Sequence, residues 1–274
     1  MRAPAAADVA EDAQAEAGGI AVTEDVFLGG ALTLRQPRQG YRAGLDAVLL
    51  AALAPVPDGG DKAVTAADLG SGVGTVGLAV AARCSVAAVD LVERNDALVR
   101  LATDNVRRNR PDGRARVIPC DIGTADAARL LSANHYDLAL ANPPFHAEHA
   151  ARAPANALKR AAHIAEPGTL EVWARTMARI VRPGGEAVII YPAGQLADVL
   201  SAFDGRFGGL CVLPVHAKAN APAIRCVVRG TKGSRAPLSI APGLTLHSSD
   251  GSYCAPIEAA MRAPAALDAW PMVS

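Results

Sequence analysis

The most constraining feature of this 274-residue chain is a glycine-rich stretch between an apolar segment and a helix-forming one. Its sequence, Asp68-Leu-Gly-Ser-Gly-Val-Gly74, directly follows the apolar residues 63–68. The glycines Gly70, Gly72 and Gly74 allow a tight turn and let the backbone approach a ligand closely. A strand, a glycine loop and a helix in this order predict a ligand site at the carboxyl end of a parallel sheet.

From residue 63 onward, strand-like and helical patterns alternate along the chain. Strands are predicted at 63–68, 85–90, 115–118, 136–141, 186–191, 210–215 and 224–228, and helices at 76–83, 95–109, 170–181 and 195–203. Such alternation predicts a doubly wound, mostly parallel sheet with helices on both faces. We therefore expect a three-layer α/β/α fold with seven strands, finished by an antiparallel strand at one edge.

A single domain with a tail at each end is expected. Residues 1–22 are polar or alanine-rich without a β-branched run, which predicts a disordered tail. The domain spans 23–262, and the residues after it, 263–274, are expected to form a second tail. Its parts are an N-terminal hairpin and helix at 23–57, a core at 63–230 and a C-terminal extension at 231–262.

Composition favours a well-packed intracellular protein. Hydrophobic residues make up 51% of the chain and charged residues 20%, which is enough for a sizeable core. No apolar run reaches the roughly 18 residues of a membrane span. The five cysteines are widely spaced and form no CxxC pair, so we expect neither zinc, another metal nor disulfides. A reduced, cytoplasmic protein without a membrane partner is predicted.

The charge is unevenly distributed although the formal net charge is zero. Residues 1–25 hold six acids and one base, and no acid occurs between Asp204 and Asp250, where there are six bases. Basic surfaces of this kind can follow a phosphate backbone, although an ordinary solvated face is the alternative. The candidate RNA contacts are Arg35, Arg38, Arg42, Lys218, Arg225, Lys232 and Arg235.

Carboxylates follow the predicted strands and suggest a nucleoside-containing cofactor. Asp90 ends the second strand, 22 residues after Asp68, and suits ribose hydroxyls in either a nicotinamide cofactor or S-adenosylmethionine. Asp68, directly before the glycines, suits a cationic ligand better than a pyrophosphate. Asp121, after the third strand, can accept from an adenine amine, although a helix cap or turn is the alternative for Asp68 and Asp121. We expect S-adenosylmethionine.

The fourth strand runs into Asn142-Pro143-Pro144-Phe145. The prolines fix φ and remove two backbone donors, which leaves carbonyls available to a ligand. The Asn142 side chain and the Pro143 carbonyl can accept both hydrogens of an NH2 group, and Phe145 can stack on the flat group that carries it. Held this way, the amine can meet a methyl donor in line. His146 could assist proton loss or serve as a structural loop histidine.

These motifs resemble class I methyltransferases with a [D/N]PP[Y/F] loop. The segments that also resemble the bacterial tRNA (adenine-N6) methyltransferases acting on a valine tRNA are 23–30, 40–50, 229–238, 242–247 and 251–253. The resemblance covers roughly 23–262 and implies a Rossmann-like fold with cofactor ligands at Asp68, Gly70, Gly72, Asp90 and Asp121. It also implies that Tyr41, Arg42 and Asp46 close over the methionine end of the cofactor; Arg42 could equally contact phosphate.

The expected activity is methylation of an exocyclic amino group of RNA, adenine N6 in tRNA, by a monomer or homodimer. Many members have tyrosine where Phe145 stands, and Phe145-His146 also resembles the guanine-N2 rRNA methyltransferases, so guanine-N2 methylation of rRNA is an alternative. Glutamine-N5 methylation of a protein, a nicotinamide dehydrogenase and a cofactor-dependent RNA-binding module without chemistry are further alternatives. The intact Asn142-Pro-Pro-Phe loop argues against the last of these.

Overall fold

A computed structural model describes residues 16–17, 20–39, 42–56, 63–109, 111–145 and 169–271. Its strands are β1 (Glu16–Ala17), β2 (Ile20–Phe27), β3 (Leu32–Pro37), β4 (Val64–Leu69), β5 (Ala87–Glu93), β6 (Ala115–Pro119), β7 (Tyr136–Ala141), β8 (Val181–Pro192), β9 (Gly208–Lys218), β10 (Ala223–Thr231), β11 (Ser239–Ile240) and β12 (Leu244–His247). Its helices are α1 (Leu45–Leu53), α2 (Thr75–Arg83), α3 (Asp96–Asn109), α4 (Asp126–Leu130), α5 (Thr169–Ile180), α6 (Leu196–Phe203) and α7 (Ala255–Arg262).

The central sheet has the order β6-β5-β4-β7-β8-β10-β9, and the neighbours from β6 to β8 are all parallel. Within the described ranges it contains nine strands, because β11 and β12 add in parallel to the outer edge of β9. The seven predicted strands are all present. The antiparallel strand is not at the edge, however: β10 lies between β8 and β9 because it returns from β9 as a hairpin.

Alternate residues of the central strands face two helical layers, as a pleated sheet requires. Ala66 of β4 packs in the apolar cluster with α1 and α2, whereas its neighbour Ala67 packs in the cluster with α5 and α6. A sheet covered on both faces explains why these strands are almost continuously apolar. The predicted three-layer α/β/α arrangement is therefore confirmed.

The N-terminal hairpin of β2 and β3 is docked on α3 by asparagine side chains. Asn105 accepts from the backbone N–H of Arg35 and donates to the carbonyls of Arg35 and Val73, while Asn109 makes the corresponding pair of bonds to Thr33. The predicted limit of a disordered tail at residue 22 is wrong, since β2 begins at Ile20 and pairs with β3. Residues 1–15, 18 and 19 lie outside the described residues.

The C-terminal residues close over the end of α1. The backbone N–H of Leu267 donates to the Ala52 carbonyl at 2.9 Å, and the Trp270 indole N–H donates to the Leu53 carbonyl at 2.9 Å. Those carbonyls are among the ones that a helix leaves unpaired at its end. The prediction of a free tail from residue 263 is therefore wrong as far as Trp270.

Three local details differ from the expectations drawn from the sequence. The helix predicted at 170–181 ends at Ile180. The strand predicted at 186–191 begins earlier, so that Pro183-Gly184-Gly185 lies inside β8 beside a register irregularity. The short helix α4 was not predicted. None of the helices in the described part of the chain is long and apolar enough to span a membrane.

Candidate active site

The loops after β4, β5, β6 and β7 meet at one side of the sheet, which we call the carboxyl edge; the opposite side is the amino edge. In an open α/β sheet, ligands bind outside the carboxyl ends of the strands, where the order of the strands reverses. Here β4 lies between β5 and β7, so the glycine loop after β4 is at that reversal. A residue that binds the cofactor should therefore lie at or near the carboxyl edge.

The glycine loop needs glycine for two separate reasons. Gly70, Gly72 and Gly74 have φ values of 61°, 59° and 91°, in the left-handed region that favours glycine. A Cβ on Gly70 would also lie 2.3 Å from a ring carbon of Trp173 on α5. Trp173 therefore packs directly against the loop, and any side chain at Gly70 would displace one or the other.

Asp68 is almost completely buried at the end of β4. Its Oδ2 accepts the backbone N–H of Gly77 in α2 at 2.9 Å, which ties strand to helix beneath the glycine loop. Burial raises the pKa of Asp68 to about 7; the Gly77 hydrogen bond lowers it and nearby Glu93 raises it further. A cation brought near this carboxyl group would favour its ionised form.

Asp90 does not lie where the sequence analysis expected it. Strand β5 continues to Glu93, so Asp90 lies three residues inside it. Its carboxylate accepts from Arg116 Nε and Nη2 at 2.6 and 2.9 Å and from the Tyr136 hydroxyl at 2.6 Å. Burial and this bond to Asp90 raise the pKa of the Tyr136 hydroxyl. The expected location of Asp90 at the strand end is wrong, and its contacts are those of a residue that links strands within the sheet.

Glu93 occupies the position expected for Asp90. It ends β5 and accepts the backbone N–H groups of Gly72, Arg94 and Asn95 at 2.8–2.9 Å. Burial raises its pKa, and these bonds together with the charge of Arg94 oppose the rise. Glu93 was missed because the apolar pair before it was not counted as part of the strand; the acidic residue ending Asp90-Leu-Val-Glu93 was the available signal.

Asp121 lies just after β6, beside an open cleft. Its Oδ1 accepts the Gly123 N–H at 2.8 Å, and its Oδ2 lies 3.4 Å from an Arg94 guanidinium nitrogen. The cleft has a volume of about 760 Å³, enough for a nucleoside. Its lining residues are Arg94, Asn95, Asp96, Pro119, Cys120, Asp121, Thr124, Asp126, Arg129 and Leu130.

Two buried hydroxyls beside the glycine loop have no hydrogen-bond partner among the described residues: Ser71 Oγ and Thr75 Oγ1. Both residues are at most 4% exposed. Buried polar groups are normally paired, so these two hydroxyls at the start of α2 could be paired by a polar ligand. Together with Asp68 and Glu93, they fit a ligand that combines a ribose, a cationic centre and an amino acid group, as S-adenosylmethionine does.

The segment Asn142–Phe145 leaves β7 at the carboxyl edge as a loop with no backbone donor at its two prolines. Neither the Asn142 side chain nor the Pro143 carbonyl has a hydrogen-bond partner within the described ranges. Pro144 is held by the Tyr191 hydroxyl, which donates to its carbonyl at 3.4 Å. The Phe145 ring meets the Tyr191 ring edge-on, with 6.3 Å between centroids and an interplanar angle of 84°. His146 lies outside the described residues.

Asp46 and Arg42, implied by resemblance to close over the cofactor, are both engaged with protein groups. Asp46 Oδ2 accepts from Arg225 Nε at 2.9 Å. Arg42 is exposed and makes two hydrogen bonds to the carboxylate of Asp25, at 2.8 and 2.9 Å. Tyr41 lies outside the described residues. The cofactor roles of these three side chains stay predictions.

The candidate RNA contacts lie in different parts of the molecule: on or after the N-terminal hairpin, at the carboxyl edge, and at or after the end of β10. Lys218 and Arg225 lie at the carboxyl edge, since Arg225 pairs with Pro192 at the end of β8. Arg38, Lys218 and Arg235 are exposed, and none makes an ion pair with a described residue. Arg35 is half-buried and lies 3.7 Å from Glu24.

Lys232, predicted as an RNA contact, has its ammonium group engaged with protein groups instead of exposed to a ligand. Its ammonium group lies at the amino edge and donates to Ala178 O, Asn134 Oδ1 and Val181 O at 2.5, 2.7 and 2.8 Å. An ammonium group has three donors, so all of them are used. Burial lowers the pKa of the Lys232 ammonium group. Its hydrogen bonds to Ala178 and Val181 hold α5 and β8 together.

The chain matches known methyltransferases in sequence. Residues 46–180 match the family model of the methyltransferase small domain. The tRNA1(Val) (adenine(37)-N6)-methyltransferase of Tolumonas auensis is 30% identical over 161 residues, which cover 58% of this chain and 63% of that one. The protein of the same name from Pedobacter heparinus is 29% identical and covers 68% and 76%. Among curated relatives of this name, the matched segments span between 45% and 76% of the relative's length.

Solved structures agree with this assignment at the level of the fold. A predicted O-methyltransferase from Agrobacterium tumefaciens aligns with a TM-score of 0.66 at 29% identity, covering 81% of this chain and 98% of that one. The 16S rRNA N2 G1207 methyltransferase of T. thermophilus, solved with AdoMet and guanosine, aligns with a TM-score of 0.53 at 19% identity, covering 77% and 50%. Residues 46–180 therefore match the methyltransferase small domain, and by its sheet order and relatives the chain resembles class I, S-adenosylmethionine-dependent methyltransferases, among them the tRNA1(Val) adenine-N6 methyltransferases.

Proposed function

We propose that this protein methylates N6 of an adenine in tRNA, using S-adenosylmethionine as the methyl donor. The observation that carries the proposal is the loop Asn142–Phe145 at the carboxyl end of β7, with two acceptors that have no partner among the described residues. The relatives named for adenine-N6 methylation of a tRNA support the choice of base and of RNA. A tRNA substrate would be met in the cytoplasm.

On the cofactor side, different residues would bind different parts of S-adenosylmethionine. Glu93 would accept the ribose hydroxyls, and Asp121 would accept from the adenine amine at the cleft. The glycine loop, Ser71 and Thr75 would face the amino acid group, while Asp68 supplies negative charge beneath it. When bound, S-adenosylmethionine supplies an electrophilic methyl group on a cationic sulfur.

On the target side, two acceptors would orient the amine. The Asn142 side-chain oxygen would accept one N–H and the Pro143 carbonyl the other, so the nitrogen lone pair is turned away from both. Phe145 would stack on the adenine ring. Positioning supplies most of the rate enhancement, because an amine conjugated to a ring is a poor nucleophile and gains acidity only as the new bond forms.

The test is methylation of unmodified tRNA transcripts by recombinant protein, followed by nucleoside mass spectrometry. N6-methyladenosine is the expected product. N2-methylguanosine in the transcripts would overturn the choice of base. Absence of transfer to tRNA by protein that still binds S-adenosylmethionine would overturn the tRNA substrate.

A further inference from the structure

Arg225, near the start of β10, directly contacts Phe145 in the loop Asn142–Phe145. The central carbon of its guanidinium lies 5.3 Å from the centroid of the Phe145 ring, over the ring face. A guanidinium in this position is attracted by the negative face of the ring, and the attraction is stronger where water is excluded. The Arg225 side chain is only 27% exposed, so this attraction is not fully screened.

The orientation of Arg225 is itself fixed by two hydrogen bonds. Its Nε donates to Asp46 Oδ2 at 2.9 Å, and its Nη1 donates to the Ile224 carbonyl at 3.0 Å. The guanidinium is planar and its donors are rigidly arranged, so two bonds define the plane that covers Phe145. Asp46 of α1 therefore helps to determine how Arg225 of β10 contacts the Phe145 ring.

Phe145 is thus constrained in two directions. Arg225 covers a face of the ring, and Tyr191 meets it edge-on while also holding the neighbouring Pro144 carbonyl. A ring fixed in plane and in position defines the plane of any flat group that stacks parallel to it. The direction of the target amine relative to Asn142 then depends on these contacts.

We propose that Arg225 is a positioning residue for the target base, acting through Phe145, and that Asp46 holds it in place and cancels its charge. This rests on the proposed transfer to a ring-bound amine. The cancellation matters because the target nitrogen gains positive charge as the methyl group arrives, and an uncompensated guanidinium nearby would oppose that. The pair Asp46–Arg225 brings orientation to the site without net charge.

The chain contains a matched control on the same strand. Arg229 lies over the Trp270 ring at 4.7 Å and pairs with Glu186 at 3.6 Å, so it repeats the arrangement of ring, guanidinium and carboxylate. It lies four residues further along β10, away from the carboxyl edge. Substitution of Arg229 therefore measures how much a guanidinium held between a ring and a carboxylate contributes to stability where it does not contact the proposed site.

The experiment compares Arg225→Ala, Arg225→Lys, Asp46→Asn and Arg229→Ala in steady-state methylation of unmodified tRNA. We expect kcat to fall about 10-fold for both Arg225 variants, with cofactor affinity within twofold of wild type, and about 5-fold for Asp46→Asn. Lysine is not expected to rescue, because a compact ammonium cannot reproduce the planar contact. Arg229→Ala should lower the melting temperature and leave kcat within about twofold.

Two further measurements separate positioning from phosphate binding. In a Phe145→Leu background, Arg225→Ala should cause no further loss of kcat, because its effect passes through the ring. The salt dependence of tRNA affinity should be unchanged in Arg225→Ala, whereas loss of a phosphate contact would reduce the slope by about one. A reduced slope, an independent effect in the Phe145→Leu background, or an unchanged kcat would overturn the proposal.

The outcome is distinguishable from failure of the proposed function. If wild-type protein transfers no methyl group to RNA, the proposed function fails while the contact can still be judged. In that case the melting temperatures of the two single variants and of the double variant decide. Non-additive losses support coupling between Arg225 and Phe145, and strictly additive losses would overturn it.

Discussion

At the amino edge of the sheet, Lys232 uses all three ammonium donors on Asn134 and two backbone carbonyls, whereas at the carboxyl edge the Asn142 amide has no partner among the described residues. Asp137, also at the amino edge, is likewise engaged with protein groups. Burial favours its neutral form, but bonds from Thr65 and Arg182 outweigh this and lower its pKa. These amino-edge groups satisfy each other, whereas at the carboxyl edge the Asn142 amide and the hydroxyls of Ser71 and Thr75 lack partners among the described residues.

The comparison teaches that chemistry-bearing residue types are not informative by themselves. Polar side chains with several partners within the protein stabilise it. Those that remain unpaired in a cleft carry a cost that binding can recover, which makes them candidates for function. Substitutions at the two edges should consequently separate into losses of stability and losses of activity.

The largest expected effect is at Asn142. Replacement by alanine removes one of the two proposed acceptors of the amine, so methyl transfer should fall roughly 100- to 1,000-fold. Cofactor affinity, measured by calorimetry, should stay within twofold. Asn142→Asp keeps an acceptor oxygen and should retain more activity than the alanine variant; equal turnover in wild type and Asn142→Ala would remove the basis of the mechanism.

The next effect is steric, at Gly70. An alanine there would meet Trp173 at 2.3 Å and adopt a φ of 61°, so cofactor affinity should fall at least about 10-fold. The control is Gly184 near the amino edge, with a φ of 76° and its nearest contact at 3.8 Å. Gly184→Ala should cost about 1 kcal/mol of unfolding free energy and leave affinity unchanged. Similar affinity losses in both variants would mean that the glycine loop has no special role.

A smaller effect is expected from Asp68, through pH. Because its pKa is raised to about 7 in the folded protein, the folded state binds a proton more readily than the unfolded state. The stability from this group is present at acidic pH and is lost as pH rises towards 7 and slightly above. A cationic ligand favours the carboxylate, so cofactor affinity should increase over the same window.

Asp68→Asn is the matched variant for this pH effect. It keeps the size of the side chain and an acceptor for the Gly77 N–H, but it cannot ionise. Cofactor affinity should fall about 10-fold at pH 8, and the part of its pH dependence centred near 7 should disappear. Calorimetric titrations at several pH values measure both, and an identical pH profile in the variant would refute the role of Asp68.

The smallest effects compare two lysines from the acid-free run. Lys232→Met should lower the unfolding free energy by about 1–2 kcal/mol, because three acceptors lose their donor, and should leave the salt dependence of tRNA affinity unchanged. Lys218→Ala should leave the melting temperature unchanged and reduce that salt slope by about one. If the two variants behaved alike, the division of the basic run between the edges would have no consequence for RNA binding.

The sequence alone predicts much of the fold, because its signal is periodic. Apolar alternation and glycine loops locate the seven long strands, and Asn142–Phe145 follows β7 as expected. The errors come from information that periodicity does not contain. Charge counting cannot distinguish Lys232 from Lys218. The partners of Lys232 lie more than 30 residues away in sequence, and Lys218 has no ion-pair partner among the described residues.

The site was only partly predictable for the same reason. Asp90 and Glu93 are equally plausible strand-end acids until the length of β5 is known, and that length is set by pairing with β4 and β6. Trp173 and Tyr191 gave no motif, because an aromatic residue on a helix or strand usually belongs to the core. Asp46 was implicated through resemblance, yet its contact with Arg225 joins residues 179 positions apart.

The attachment of Leu267 and Trp270 to the end of α1 has a consequence for biosynthesis. The carbonyls of Ala52 and Leu53 are translated more than 200 residues before the groups that donate to them. During translation, α1 can form its first turns but must wait for the last part of the domain to leave the ribosome before its end is closed. Since α1 also carries Asp46, which pairs with Arg225, the proposed amine-binding side of the protein should complete its packing late on a growing chain.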